Sequence, residues 1–442
     1  MRRTLSLIAI LAVSSVLLWT RINYSELCGT PPTKVTQWDA LGYYQYLPAV
    51  FLYRDIARQD WLEGIDSTYH LSGGSIYQVF DLPNGNRATK YFCGIAIMQL
   101  PFFVIGHVVA GWTGHPRDGF SIPYQWAIGI SPIVYCILAL FLWRQVLLRY
   151  FSDGVVALTI VLVVLATNAI QYISVDNAQT HGYLFALYAL VLWATVRWHE
   201  KPGRGRAALI GATVGLATVA RPTEAIMLFI PFFWGIHDKS TARAKWALLR
   251  KHPDHVAFAV GSAFLAFLPM LIYWKVVTGS WVFDVGSKWE FLDPHWRVLF
   301  GGEKGWFIYT PITVLFVAGL FFMKSRPWKR SVLVYVLLNI WIVIAWHDWR
   351  YGGSYSTRAL VQSYPVLALP FAALLERALR TRWRWPMLAL CGYLLFVNAF
   401  QIYQYNHDAI LHYDRMNFRY YRAIYLNAHP TAEERALMDP ER

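Results

Sequence analysis

The stretch Thr36-Gln-Trp-Asp-Ala-Leu-Gly-Tyr-Tyr-Gln-Tyr-Leu-Pro-Ala-Val-Phe51 sets one carboxylate, Asp39, at the head of an aromatic and apolar run. A carboxylate so placed can take the proton of an attacking hydroxyl. It also suits the N-cap of a surface helix. Tyr43, Tyr46, Leu47 and Val50 recur at helical spacing, with Tyr44 beside them, and Arg54, Asp55 and Arg58 follow as a polar end. The stretch therefore reads as an amphipathic element lying on a membrane surface, its tyrosines at headgroup level.

Separated cations accompany this acid. Arg221-Pro-Thr-Glu224 is a complete turn between two apolar segments. An arginine there can hold a phosphate in bidentate fashion, or pair with Glu224. His347-Asp-Trp-Arg-Tyr-Gly-Gly-Ser-Tyr-Ser-Thr-Arg358 supplies His347, Asp348, Arg350 and Tyr355, then places Arg358 at the start of an apolar run. Its glycines let backbone approach a ligand, and a helix start beside an arginine suits an anion. Lys90 stands before the Gln99-Leu-Pro-Phe-Phe103 run, and Asp176-Asn-Ala-Gln-Thr-His181 ends on a histidine that opens a helix. No His, Asp or Glu set has zinc spacing, and neither a P-loop nor a G-x-S-x-G motif occurs, so no metal ligand is expected from spacing.

The elements that must position these residues are membrane helices. The 442 residues are 56% hydrophobic and 17% aromatic with 15% charged, too few charges for an ordinary soluble domain. Apolar runs fall at about 4–20, 92–111, 121–143, 155–173, 180–198, 207–220, 223–236, 256–276, 306–323, 331–346, 359–376 and 386–403. The first follows Met1-Arg-Arg and reads as an uncleaved signal anchor.

Charge decides how these runs are threaded. If 92–111, interrupted by Pro101, is re-entrant or interfacial, the basic loops at Arg2-Arg3, Arg144/Arg149, 197–206, 239–251, 324–330 and 377–384 share one face. They hold 21 of the 40 Lys and Arg, and that face carries five of the 26 Asp and Glu (Asp153, Glu200, Asp238, Asp254 and Glu376). The positive-inside rule then gives about eleven crossings, the N-terminus cytoplasmic and the candidate residues on the outer face. The net charge of +14 reports this orientation, which leaves a nucleic-acid partner nothing to explain. A charge at the bilayer centre costs at least about 2.5–3.5 kcal/mol, so charges gathered at membrane ends imply a polar cavity. The expected architecture is an all-α polytopic bundle over residues 1–403, with a first outer loop at 23–91. A short outer tail at 404–442 follows, closed by a capping box at Thr431-Ala-Glu-Glu434. Cys28 and Cys93 share the outer face in this topology, and read as two unrelated buried thiols.

At these motifs the chain resembles the bacterial polyprenyl-phosphate-sugar-dependent glycosyltransferases of the GT-C superfamily, the protein O-mannosyltransferase and aminoarabinose-transferase type. The matching pieces are Trp38-Asp-Ala-Leu-Gly-Tyr-Tyr44, Lys90-Tyr-Phe-Cys-Gly94 with Gln99-Leu-Pro-Phe-Phe103, Thr180-His181, Gly215-Leu-Ala-Thr-Val-Ala-Arg-Pro-Thr223 and Tyr351-Gly-Gly-Ser-Tyr-Ser-Thr-Arg358. The resemblance implies an inverting transfer of a sugar from a polyprenyl-phosphate donor to an acceptor hydroxyl at the outer face of the inner membrane. Asp39 would be the base, and Lys90, Arg221 and Arg358 would hold the donor phosphate. Tyr43, Tyr44, His181, His347, Asp348, Arg350 and Tyr355 are candidate substrate contacts. The acceptor is a glycan, lipid or protein, and the scheme leaves room for a divalent metal without requiring one. The family often has an acidic pair near this aspartate, whereas here Ala40 follows Asp39. The alternative class is a transporter or flippase of a lipid-linked sugar, which shares the groove and the arginines but needs no base.

Overall fold

The computed structural model describes residues 4–23, 34–324 and 326–440. Each of the twelve apolar runs is helical over most of its length. The long elements, in chain order, are α1 (Leu5–Ile22), α2 (Asp39–Tyr44), α3 (Tyr46–Phe51), α4 (Gly94–Trp112), α5 (Ile122–Leu147), α6 (Asp153–Leu165) and α7 (Thr180–Glu200). There follow α8 (Arg204–Ala220), α9 (Lys239–Lys251), α10 (Pro253–Thr278), α11 (Lys329–Ile344), α12 (Tyr364–Leu379) and α13 (Arg384–Asn406). The two named strands, Val79–Asp81 and Arg87–Thr89, form one antiparallel hairpin in the first loop.

Among the described residues, six helices are long and apolar enough to cross a membrane: α1, α4, α5, α10, Arg358–Leu379 (which contains α12) and α13. Three shorter apolar helices accompany them, at Asp153–Leu165, Pro222–Phe233 and Thr313–Phe322. Eleven helices of full membrane length are therefore not present among the described residues. Several of the expected crossings are short or broken, such as the 3-10 turn Pro222–Leu228 that runs into a five-residue helix.

Two ends of the bundle are defined by contacts between helix termini. At one end the Leu5 and Ser6 amides donate to Asp153, Arg204 pairs with Asp254 at 2.6 Å, and Arg326 pairs with Glu376 at 3.2 Å. At the other, Arg21 donates to the Val175 carbonyl (3.0 Å), the Thr36 amide to Gln125 (3.0 Å), and Asn86 to the Val277 carbonyl (2.9 Å). Helix α4 lies along the first half of α5, whose Tyr135 donates to the Met98 carbonyl at 2.7 Å. Gly94 lies against the backbone of Val219 and Ala220, and Gly106 lies against Tyr124 at the start of α5.

Depth in the bundle follows from which helix faces are covered. The Arg358–Leu379 segment is central, with 94% of its apolar window buried, whereas only 11% of the α10 window is buried. Apolar side chains such as Val260, Phe264 and Leu265 of α10 point away from the protein, as a lipid-facing helix requires. In lipid, helices associate by close packing at small residues more than by expulsion of water. Gly211 and Gly215, four apart on α8, let it pack directly on Ala259, Ser262 and Ala263 of α10, where a Cβ on either glycine has no room.

The amphipathic surface element expected at 36–51 is instead two short helices, α2 and α3, sunk into the protein. Tyr44, Tyr46 and Leu47 are buried, against Phe103, Phe120 and Tyr273 from distant parts of the chain. Trp38, Val50 and Phe51 are its large apolar residues that remain exposed. The capping box at Thr431 and Glu434 forms as expected. Cys93 is buried as a free thiol, and Cys28 lies outside the described residues.

Candidate active site

Asp39 is the first residue of α2, but its carboxylate does not cap that helix. Oδ1 accepts hydrogen bonds from the hydroxyls of Tyr91 (2.7 Å) and Tyr77 (2.9 Å). Oδ2 accepts from Arg358 Nη2 at 2.8 Å, across 319 residues of sequence. Arg358 uses its other terminal nitrogen, Nη1, to donate to Gln179 at 2.5 Å. Gln179 in turn donates to Asp176 Oδ1 at 3.1 Å. The result is a continuous polar chain, Tyr77/Tyr91–Asp39–Arg358–Gln179–Asp176, drawn from four separated segments.

These groups share the wall of a cavity of about 820 Å³ at the second end of the bundle. Asp39, Tyr77, Asp176, Gln179 and Arg358 line it, with Arg21 and Lys34 as further cations. The Asp39 side chain is 27% exposed and that of Arg358 11%, so the pair is sheltered but reachable. Burial alone would raise the Asp39 carboxyl; the Arg358 guanidinium and the Tyr91 and Tyr77 hydroxyls outweigh it and hold the group below the usual carboxylate range. Burial pushes Asp176 the other way, with the pull of Arg358 insufficient to reverse it. Two carboxyl groups that share one arginine are thereby given unlike proton affinities.

Local backbone explains the placement. Trp38, just before Asp39, has φ 55° and ψ −129°, a conformation foreign to a tryptophan that costs about 1–3 kcal/mol. It is held there because its amide donates to the Leu71 carbonyl (2.9 Å) and its carbonyl accepts from Gln78 (3.1 Å). Gly352 has φ +64°, and a Cβ there would come within 3.3 Å of the Arg358 guanidinium, so glycine is what lets this turn lie beside the arginine. Lys304, almost fully buried, clamps the same turn by donating to the carbonyls of Arg350 (3.1 Å) and Gly352. Burial pushes its ammonium down to about 8.

The other expected residues divide. Lys90 stands over the rings of Phe80 (4.9 Å) and Tyr77 (5.9 Å), one side chain behind Asp39, and does not line the cavity. Arg221 sits half-buried at its turn beside Glu224, also off the cavity wall. Glu224 itself is buried, accepting from Tyr188 (2.5 Å) and Gln362 (3.1 Å), so it spends its oxygens elsewhere than on a salt bridge to Arg221. His181 is buried against Gln362 (3.2 Å). Tyr43 packs edge-on against Tyr91, with ring centroids 4.7 Å apart.

Several candidate contacts are structural. Tyr44 is fully buried and donates to the Gly119 carbonyl at 2.5 Å, and Tyr355 is buried and donates to the Tyr309 carbonyl at 2.8 Å. Arg350 pairs with Glu303 (2.7 Å) and lies on the Trp349 ring, and His347 holds the Lys288 carbonyl. Neither they nor Asp348 line the cavity. Sequence reasoning passed over Tyr77, Gln179, Arg21 and Lys34; Tyr91 lay within a quoted motif without being singled out.

A divalent metal would need ligand atoms that converge. Both Asp39 oxygens are already taken by a guanidinium and two phenols, and Asp176 accepts from Gln179, so this donor set does not fit a metal as arranged. Among the described residues, three potential ligand atoms gather within 4.8 Å at His252, Asp254 and His255, at the opposite end.

A helical bundle with its first loop packed over the helix ends has solved counterparts, and the likeness is one of fold. The archaeal oligosaccharyltransferase AglB from Archaeoglobus fulgidus, in complex with an inhibitory peptide and a dolichol-phosphate, is similar with a TM-score of 0.51 at 12% identity, over 98% of this chain and 58% of that one. The same enzyme tethered to an acceptor peptide containing the NVT sequon gives 0.53, also at 12% identity, over 98% and 58%. ArnT from Cupriavidus metallidurans in the apo state gives 0.49 at 12% identity, over 94% and 68%. The chain thus spans under three fifths of the length of the oligosaccharyltransferase it matches. No protein-family profile and no curated protein matches the sequence.

Proposed function

We propose that this protein is an inverting membrane glycosyltransferase that moves a sugar from a polyprenyl-phosphate donor to an acceptor hydroxyl, with Asp39 as the base. The observation that carries this reading is the Asp39 carboxyl group, held by Arg358, Tyr91 and Tyr77 on the wall of a large cavity. The donor's leaving group is a stable phosphate anion and needs no proton, so one carboxylate suffices where glycoside hydrolases use two. The acceptor hydroxyl attacks the anomeric carbon and passes its proton to Asp39. The bond from that carbon to the phosphate oxygen breaks, and its electron pair leaves with the phosphate.

A carboxylate with a depressed proton affinity is a weak base in the resting site. It gains strength as Arg358 turns its guanidinium toward the incoming phosphate, which ties proton uptake to donor binding. Arg358 then opposes the charge that grows on the leaving oxygen. Lys34 and Arg21 on the same wall add to the positive field, and Arg221 and Lys90 act from behind it. A dolichol-phosphate bound in a protein of the same fold supports the lipid-phosphate donor.

In this reading the chain threads an inner membrane eleven times with the cavity outside, the helix termini alternating between the two ends of the bundle. The test is Asp39→Asn in purified protein supplied with a polyprenyl-phosphate sugar. Transfer should fall by about 10²–10⁴ with insertion and folding intact, as loss of a general base does. Full transfer by the variant removes Asp39 from the role, and lipid-sugar translocation without transfer in the unsubstituted protein replaces the enzyme with a flippase.

A further inference from the structure

The cavity wall has a second face that the proton and phosphate chemistry does not use. Trp38 and Tyr413 both line it, with 51% and 52% of their surfaces exposed, in a protein that buries most of its aromatic rings near the site. Trp38 is fixed in place by its two backbone hydrogen bonds, and Tyr413 stands on the glycine turn, its ring 3.3 Å from where a Gly353 Cβ would be. Between them the lining is amide-rich. Gln37 is half-buried, its side-chain amide without a hydrogen-bond partner among the described residues, and Gln171 and Asn406 hold each other through a reciprocal pair of hydrogen bonds at 2.7 and 3.2 Å.

The enclosed charges of the wall are engaged, by one another or by neutral groups, and the remaining cation, Lys34, stands exposed to solvent. Asp39 and Arg358 are paired, Arg21 donates to the carbonyls of Ser174 and Val175, and Asp176 accepts from Gln179. Flat aromatic faces match the C–H faces of a pyranose, and amides offer both donors and acceptors to its hydroxyls. A charged sugar would need an opposite charge left free, since burying an unpaired ion is costly. Tyr413 and Asn406 come from the last part of the chain, so this face is built by the C-terminal segment folding back over the helix ends.

We propose that the face formed by Trp38, Tyr413 and the Gln37, Gln171 and Asn406 amides is a binding subsite for a neutral, hydroxyl-rich pyranose. This rests on reading the cavity as a glycosyl-transfer site and names the chemistry of the sugar handled there. Such a ring belongs either to the donor or to a glycan acceptor, and the test separates these.

The full chain in nanodiscs is mixed with methyl glucoside, methyl mannoside and methyl galactoside, and separately with methyl glucosaminide, methyl glucuronide and a Ser/Thr hexapeptide. Saturation-transfer NMR reads binding. At least one neutral glycoside should receive saturation, most strongly at its C–H protons, and bind about tenfold more weakly to Trp38→Leu and to Tyr413→Leu, the loss of affinity that 1.4 kcal/mol produces. Tyr413→Phe should restore binding because it keeps the ring, and a melting curve on each variant establishes that it is folded. Displacement of the glycoside by a short-chain prenyl-phosphate glucose assigns the subsite to the donor sugar, and simultaneous binding assigns it to the acceptor. Binding of no neutral glycoside, equal binding by folded Leu variants, or preference for the peptide or a charged sugar overturns the proposal. Glycoside binding is read without any transfer step, so failure of the base assignment leaves this result standing.

Discussion

The two ends of this bundle use charge in opposite ways. At the end away from Asp39, Arg149 meets Glu200, Arg204 meets Asp254 and Arg380 meets Glu376, with many of these side chains well exposed. Most of these pairs bridge neighbouring helices or lie within one. At the cavity end, Asp39 and Arg358 pair in a sheltered site, are cross-linked to Tyr77, Tyr91 and Gln179, and come from opposite parts of the sequence. Exposed pairs are screened and contribute about 0–1 kcal/mol each. Sheltered ones are costly to assemble and punishing to break, so they persist where something is gained by them. The cavity pair is therefore the one that carries the proposed chemistry.

The comparison breaks most readily at Arg358. Arg358→Gln should lower transfer by about 10²–10³, as removal of a transition-state donor does. It also leaves the Asp39 carboxylate with two phenols in place of a cation, at a cost of about 1–3 kcal/mol read as a lower melting midpoint in detergent. If this variant behaves like an exposed-pair variant, the distinction between the ends fails.

A smaller effect sharpens the same point. Asp39 is held below the usual carboxylate range, so it stays ionised through neutral pH and loses its charge, and its activity, only as pH falls through that lowered value. Tyr91→Phe removes one hydrogen bond to the ionised form. The acid limb of the pH–rate profile should then move upward by about one unit, with the rate near neutrality changed less than tenfold. An unmoved acid limb separates Asp39 from the titration. The smallest effect belongs to the opposite end: Arg149→Ala should change stability by at most ~1 kcal/mol and leave transfer as it was.

Much of this was legible before any coordinates. Apolar runs located the helices, because a backbone in lipid must satisfy its own hydrogen bonds and helices do so locally. Asp39 and Arg358 stood out as charges at membrane ends, and the Thr431–Glu434 capping box is a local device that four residues specify. What failed was burial. Val50 is exposed, yet Tyr44 and Tyr46, which also looked suited to a surface, are enclosed by Phe103, Phe120 and Tyr273 from far along the chain. Tyr355 went the same way, packed beside Tyr309 and Tyr405. Tyr77 and Gln179 were passed over for a related reason: a phenol and an amide carry no signal in sequence until a carboxylate and a guanidinium from elsewhere are set beside them. Hydropathy does not report where a run breaks, as it does after Arg221, so among the described residues six of the runs form helices long and apolar enough to cross.

The 319-residue span of the Asp39–Arg358 bond has a bearing on biosynthesis. Asp39 leaves the ribosome early and waits through most of translation for its guanidinium. Under the proposed chemistry, a growing chain that has not yet released Arg358 is inert, with no counter-cation for its acid, and competence arrives late and all at once.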